Sequence, residues 1–353
     1  MVEFKILSNP SEIYSQMLKD IKSAKKSIYL ETYIYDSDKI GDEFRRILTK
    51  KAKQGVKIFL LIDSWGSSIN KKYFTDFKES GGKFRFFREL RYVFGIIRSF
   101  NKNHERNHRK LLIIDKKISY TGSINITAKC LGWRELVLRL EGDISESFYN
   151  SFIKSWNLFN KLKNLKKIKP FIYKKFKIIH DAPNHKRKKT HSNYIKLINN
   201  AKKEIKIETP YFVPTPKIVN ALSNAVKRKV DVKIILPKVS DVRLTDILRR
   251  LYLGKLHKKG VKIYFYPKVL HSKLLIIDDN FFLLGSSNLD YRSFIHQYEI
   301  NLLGEDKEII KRLKKYFKET LFQTNEFDYV EWQNRGIIKK IHERFLRFVE
   351  WWA

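Results

Sequence analysis

HERNHRKLLIID, residues 104–115, carries two patterns that both use His108. His104, Glu105 and His108 fit H-E-x-x-H, the zinc-binding helix motif. His108, Lys110 and Asp115 fit H-x-K-x-x-x-x-D. The second pattern has an echo: LHSKLLIID at 270–278 supplies His271, Lys273 and Asp278, and KLLIID recurs letter for letter. Nothing in the echo corresponds to His104 and Glu105. The zinc pattern also needs a helix, and Asn101, Asn103 and Asn107 are poor helix formers beside an incoming strand. His104 therefore reads as a loop residue, and the scheme calls for no metal and no cofactor.

The echo extends outward. IKSAKKSIYLETYI (21–34) answers INNAKKEIKIETPYF (198–212), and GVKIFLLID (55–63) answers VDVKIILP (230–237). GGKFRFF (81–87) answers KGVKIYFY (259–266), and TGSINIT (121–127) answers LGSSNLD (284–290). Shared lysine-rich composition cannot produce shared order, so the chain reads as a duplication with a unit of roughly 150 residues. Short apolar runs without strict alternation read as strands buried on both faces. Helical patterns lie between them, which predicts two tandem α/β sandwich repeats with mixed β-sheets, related by a pseudo-two-fold. The expected organisation is repeat 1 over 1–165, a basic connecting segment over 166–190, repeat 2 over 191–325, and a basic amphipathic C-terminal helix over 326–353.

In a strand, residues two apart share a face, so His108 and Lys110 point together, as do His271 and Lys273. Asp115 and Asp278 have the opposite parity and read as structural or electrostatic groups at the strand ends. Gly-Ser-x-Asn follows each Asp: Ser123 and Asn125, Ser286 and Asn288. The glycines permit close backbone approach, and the Ser and Asn side chains are expected to bind phosphate through neutral hydrogen bonds. Glu135 and Glu299, each in an apolar strand some twenty residues further on, are expected to hold a histidine ring nitrogen and orient the ring. Paired histidines, lysines and asparagines suit phosphodiester chemistry. One neutral imidazole attacks phosphorus, a second protonates the leaving oxygen from the far side, and the lysines and asparagines stabilise the equatorial oxygens. Symmetry alone does not say which histidine does which.

These motifs resemble the phospholipase D superfamily with its paired HKD motifs, over about Ile21 to Thr324. NHRKLLIID (107–115), WRE (133–135), ETPYFVP (208–214) and GSSNLDYRSF (285–294) look most like bacterial cardiolipin synthases. The resemblance implies an active site between the repeats and a covalent phosphohistidine intermediate. It also implies phosphatidyl transfer between two phosphatidylglycerol molecules with release of glycerol, His108 being the nucleophile and His271 the acid. Many family members begin with transmembrane helices, and this chain reads as the shorter, peripheral type. GSINIT stands where family members often have a second glycine, a minor departure.

Lys and Arg number 73 against 37 acidic residues, a net charge of +36 in 353 residues, which points to anionic partners. An anionic phospholipid substrate and an acidic membrane surface fit, with the protein expected in the cytoplasm, peripheral on the inner face of the cell membrane. A hydrolase, or a nuclease acting on nucleic acid, is the alternative within the same chemistry. Small nucleases of the superfamily usually resemble one half that dimerises, whereas one copy of this chain carries both motifs, so a monomer suffices. Cys130 is the single cysteine, consistent with a reducing compartment. Leu90–Phe100 reads either as a membrane-touching loop or as a packed helix. His180, His185 and His191 read as surface residues, and Tyr211 and Phe212 as core or cleft lining. In 331–353 an apolar stripe (Ile337, Ile338, Ile341, Phe345, Phe348, Val349, Trp352) reads either as an interfacial helix or as a helix docked on the domain.

Overall fold

Alternate residues of the central strands enter different cores, and this sets the layering. In a computed structural model describing residues 2–89, 92–93, 96–97, 105–158, 169–183 and 189–352, Leu111 and Ile113 join a cluster shared by both halves, while Leu112 and Ile114 join one belonging to the first half. Leu274 and Ile276 enter the same shared cluster, and Leu275 and Ile277 enter a core of the second half. This is why the strand sequences are apolar throughout rather than alternating.

The first half contains β1 (Glu3–Leu7), β2 (Ser27–Thr32), β3 (Lys57–Asp63), β4 (Lys83–Phe87), a small ribbon of β5 (Tyr92–Val93) and β6 (Ile96–Ile97), β7 (Arg106–Asn107), β8 (Leu111–Ile114), β9 (Ile118–Gly122) and β10 (Val137–Glu141). Its sheet runs β1-β10-β9-β8-β2-β3-β4, with β2, β3 and β4 parallel and the remaining pairs antiparallel. Helices α1 (Pro10–Ser23), α2 (Lys39–Lys53) and α3 (Thr75–Glu79) lie between these strands in the chain, and α4 (Ile144–Leu158) follows them. The second half adds β11 (Phe171–Tyr173), β12 (Phe176–Asp181), β13 (Glu204–Glu208), β14 (Asp231–Pro237), β15 (Lys262–Tyr266), β16 (Leu274–Ile277), β17 (Phe281–Gly285), β18 (Gln297–Gly304) and β19 (Asn325–Glu326). Here the order is β11-β12-β18-β17-β16-β13-β14-β15-β19, the same core topology repeated. Its helices are α5 (Lys189–Asn200), α6 (Pro216–Lys227), α7 (Arg243–Lys258), α8 (Tyr291–Ile295) and α9 (Lys307–Phe322).

Two expected boundaries change. The segment 166–190, expected to connect the repeats, supplies β11 and β12, and β12 pairs antiparallel with β18 inside the second sheet. That pairing buries His180, whose Nδ1 meets the Ser151 hydroxyl at 3.2 Å, so a surface reading fails there. His191 is buried as well, with Nε2 at 2.7 Å from the Thr215 hydroxyl. Phe212 is core, and the Tyr211 hydroxyl donates to Asp241 at 2.8 Å. The expected C-terminal helix is broken into α10 (Tyr329–Asn334), α11 (Ile337–Leu346) and a 3₁₀ turn over Arg347–Trp352, because Arg335 and Gly336 leave helical geometry. His104 and His185 fall outside the described residues, as does all of Leu90–Phe100 apart from the ribbon backbone.

The two aspartates of the repeated motif sit where the parity argument put them. Asp115 adopts φ 51° and Asp278 φ 53°, left-handed positions that Asp tolerates better than most side chains. Each carboxylate turns back onto the start of a neighbouring strand. Asp115 accepts from the amides of Lys25, Lys26 and Ser27 at 2.7–2.8 Å, and Asp278 from those of Lys202, Lys203 and Glu204 at 2.8–3.0 Å. They clamp the AKK turns found by the repeat. Asp278→Ala is expected to destabilise the protein by about 2–4 kcal/mol in urea unfolding, with Asp278→Asn retaining part of the loss. An unchanged midpoint for the alanine variant would contradict the clamp.

Candidate active site

Each motif histidine lies in the first residues ahead of its strand, and each of those segments pairs with the other half of the chain. β7 runs parallel to the start of β18, Arg106 opposite Gln297 and Asn107 opposite Tyr298. Arg134 forms the matching parallel bridge to Leu270. The His108 amide donates to the Tyr298 carbonyl at 3.0 Å and the His271 amide to the Arg134 carbonyl at 2.8 Å.

This exchange decides the glutamate partners. Glu299, from the second half, receives His108 Nδ1 at 3.0 Å. Glu135, from the first half, receives His271 Nδ1 at 2.9 Å. Both carboxylates are fully buried. With Nδ1 tied down, Nε2 is the ring nitrogen left for chemistry in both histidines. Tyr33 stands edge-on to His108 at 5.0 Å and Trp133 edge-on to His271 at 5.2 Å. Lys110 and Lys273 lie two residues beyond the histidines in the same short segments, just ahead of β8 and β16. Lys110 Nζ donates to the His108 carbonyl at 2.8 Å and Lys273 Nζ to the His271 carbonyl at 2.6 Å.

The serines do something other than expected. The Ser123 hydroxyl donates to Glu135 and the Ser286 hydroxyl to Glu299, so both are committed to carboxylates rather than to phosphate. The same hydroxyls accept from the amides of Leu136 and Ile300 at 2.9 Å. The preceding glycines explain how this fits: a Cβ on Gly122 would lie 2.2 Å from the Leu136 carbonyl oxygen, and one on Gly285 2.3 Å from that of Ile300. The close approach inferred from glycine is to the glutamate strand, not to a substrate. Asn125 accepts from the Ile34 amide through Oδ1 at 3.3 Å, which leaves its Nδ2 donors. Asn288 is buried at the equivalent position.

Sequence reasoning missed several supporting groups. Asn107 donates to Glu31 at 2.8 Å, while Ser272 donates to Glu208 at 2.5 Å, so both Glu-Thr strand ends hold a residue adjacent to a motif histidine. The repeat had exposed these glutamates; their role needed the fold. Arg106 and Asp63 form a fully buried ion pair at 3.3 Å, and Asp63 also accepts from the Asn107 amide at 2.8 Å. Arg109 crosses to the second half, donating to the Glu299 carbonyl at 3.3 Å. The strand at Arg106–Asn107 is not the helix that H-E-x-x-H requires, and Glu105 is paired with Arg88 at 2.6 Å. Among the described residues no cluster of metal-ligating side chains forms.

The pseudo-symmetry is broken electrostatically. Burial lowers the His108 pKa far below the usual imidazole value, and the charges of Lys110, Lys273, His271 and Arg292 push the same way. Burial lowers that of His271 too, but Glu135 and Asp241 oppose it. Burial pushes the Glu299 carboxyl up to about 8, while Glu135 is held below the ordinary carboxylate value by His271 and Lys273 against the effect of burial. Burial brings Lys110 down to about 7, aided by Lys273, and Lys273 down to about 8.

The family model described as cardiolipin synthase, PLD-like domain matches residues 17–156 and 194–321, one segment for each motif. This chain belongs to that family, within the phospholipase D superfamily. It is 34% identical over 96% of its length to a cardiolipin synthase of Clostridium perfringens, covering 74% of that protein. It is 32% identical over 98% of its length to the major cardiolipin synthase of Bacillus subtilis, again covering 74% of the relative. The fold matches the crystal structure of a phosphatidylserine synthase from Haemophilus influenzae with a TM-score of 0.81 at 15% identity, over 99% of this chain and 95% of that one.

The serine geometry makes a kinetic prediction. Ser123→Ala and Ser286→Ala are expected to lower kcat about tenfold with KM little changed, because they loosen the histidine's carboxylate. Asn125→Ala and Asn288→Ala are expected to raise KM instead. A purely KM-directed serine effect would restore the phosphate-binding reading.

Proposed function

We propose that this enzyme is a phosphatidyltransferase that converts two phosphatidylglycerol molecules into cardiolipin and glycerol through a phosphohistidine. The observation that carries it is the pair of histidines, each held at Nδ1 by a buried glutamate from the other half; both Nε2 atoms would then serve one phosphodiester. His108 Nε2 attacks the phosphorus of the first lipid, and the bond from phosphorus to the glycerol headgroup oxygen breaks. His271 gives that oxygen its proton, and glycerol leaves. The neutral His271 then takes the proton of a headgroup hydroxyl on a second phosphatidylglycerol. The hydroxyl oxygen attacks phosphorus, the P–N bond breaks, and His108 is restored. The assignment of roles is supported by the difference in fields: burial and the surrounding cations lower the His108 pKa far and favour its neutral, nucleophilic form, whereas at His271, lowered by burial and Lys273, Glu135 and Asp241 work against that lowering. Lys110, Lys273, Asn125 and Asn288 would hold the phosphoryl oxygens. Asp115 and Asp278 act at a distance by clamping the strands.

The lipid reading rests on the cardiolipin synthase relatives and on the presence of both motifs in one chain. Among the described residues no helix is long and apolar enough to cross a membrane. The substrate would be reached by peripheral association with an acidic membrane surface, drawn by the +36 charge at roughly 1 kcal/mol per basic residue near the surface. We place that surface at the cytoplasmic face.

Purified protein incubated with phosphatidylglycerol vesicles should yield cardiolipin and glycerol by mass spectrometry. Phosphatidic acid alone would make it a hydrolase, and DNA cleavage without lipid turnover would replace the reading by a nuclease. His108→Ala should reduce turnover by about 10⁴-fold or more, and a chelator should leave it unchanged. Because Lys110 and Lys273 lose charge as pH rises through about 7 and about 8, kcat/KM for the anionic lipid should fall over that interval. A profile that stays flat well above pH 8 would show that neither lysine's charge is needed.

A further inference from the structure

The C-terminal segment is docked, but by the wrong face for an ordinary core helix. Glu343 is buried and receives Arg335 Nε at 3.0 Å and Nη2 at 2.8 Å. Leu346 packs on the core of the second half, and Tyr252 of α7 donates to Glu350 at 2.6 Å. The Trp332 indole donates to the Arg250 carbonyl at 2.9 Å and fills the space above Gly254. These contacts fix α11 against α7 by the side that carries Glu343 and Leu346. The apolar stripe faces out: Ile337 is 73% exposed, Ile338 80%, Ile341 61%, Phe345 70% and Phe348 84%. At 100° per residue these positions fall within an arc of roughly 100°. Lys340, Arg344 and Arg347 border that arc on one side. Val349 and Trp352, the rest of the stripe expected from sequence, have no described side-chain placement.

We infer that this stripe is a membrane-docking face that inserts into the interface of an anionic phospholipid bilayer. A patch of large apolar side chains held open on a rigid support needs an occupant. A second copy of the chain is opposed by charge, since two bodies of +36 repel. A nucleic acid would satisfy the cations and leave the isoleucines and phenylalanines in water. A bilayer rich in acidic headgroups satisfies both: the apolar arc enters at headgroup depth and the flanking Lys and Arg side chains reach the phosphates. The stripe also has a defined relation to the active site. The 3₁₀ turn that ends it packs on α8, and α8 directly follows Asn288 in the GSSNLDYRSF motif. Insertion would therefore hold the cleft in a fixed orientation to the membrane. The inference deepens the lipid reading and rests on it only for the identity of the surface.

The test is co-sedimentation of full-length protein with phosphatidylglycerol vesicles and with phosphatidylcholine vesicles, read beside product formation. The triple variant Ile341→Ser, Phe345→Ser, Phe348→Ser should bind phosphatidylglycerol vesicles at least about tenfold more weakly than the parent. It should keep the parent's circular dichroism and its turnover of a monomeric short-chain phosphatidylglycerol. Phe345→Trp should show a blue-shifted emission on adding phosphatidylglycerol vesicles and none with phosphatidylcholine. Equal sedimentation of parent and triple variant would overturn the inference. So would a parent dimer, seen by light scattering, that the triple variant converts to monomer without change in vesicle binding. Failure of the catalytic reading looks different: the parent would bind vesicles, the variant would not, and no cardiolipin would form.

Discussion

Two hydrogen bonds across the middle of the molecule, His108 to Glu299 and His271 to Glu135, set what the rest of the structure has to do. Each joins a residue of one half to a residue of the other. A buried carboxylate can orient an imidazole only if its strand is brought alongside the histidine and its remaining lone pairs are satisfied. Parallel pairing of β7 with β18, and of Leu270 with Arg134, meets the first condition. The serine hydroxyls, admitted by glycines that sit almost on the neighbouring carbonyl, meet the second. The Gly-Ser pair and the glutamate are thus one device, distributed over two strands.

Neither half holds a complete orienting set for its own histidine. The shared core of α4, α9 and the facing sides of both sheets keeps the halves together, and apolar residues on both sides of the central strands follow from that demand. Arg109 and the Arg106–Asp63 pair extend the same seam with buried charge, each satisfied by several partners. Buried arginines of this kind contribute orientation more than net stability.

Duplication produces two equivalent histidines, yet their surroundings differ. The difference comes from residues outside the repeated motif. Arg292 adds to the positive field at His108, and Asp241 adds a negative one at His271. Groups that the alignment of halves leaves unmatched in charge make the surroundings of the two histidines unequal on a pseudo-symmetric scaffold. On the opposite kind of surface, the open stripe of α11 shows that an amphipathic pattern by itself does not say which face will be buried.

Much of this was legible from the chain. Order-preserving repeats established two α/β units, the H-x-K spacing set each lysine two residues from its histidine, each aspartate was read at a strand end, and the motif identified phosphodiester chemistry. These readings depend on local geometry, which spacing encodes directly. The partners across the seam were not legible: Glu135 and Glu299 were visible as candidates, yet pairing each with the histidine of the other half depends on which strands the fold lays side by side. For the same reason Ser123 and Ser286 read as phosphate ligands until their glutamates came within reach, and His180 read as surface until β12 joined the second sheet. Sequence determined which residues recur at matched spacing in the two halves, because residue type and spacing carry the motif. Tertiary structure decided who holds whom, because contacts between different strands, above all those joining the two halves, are set by packing.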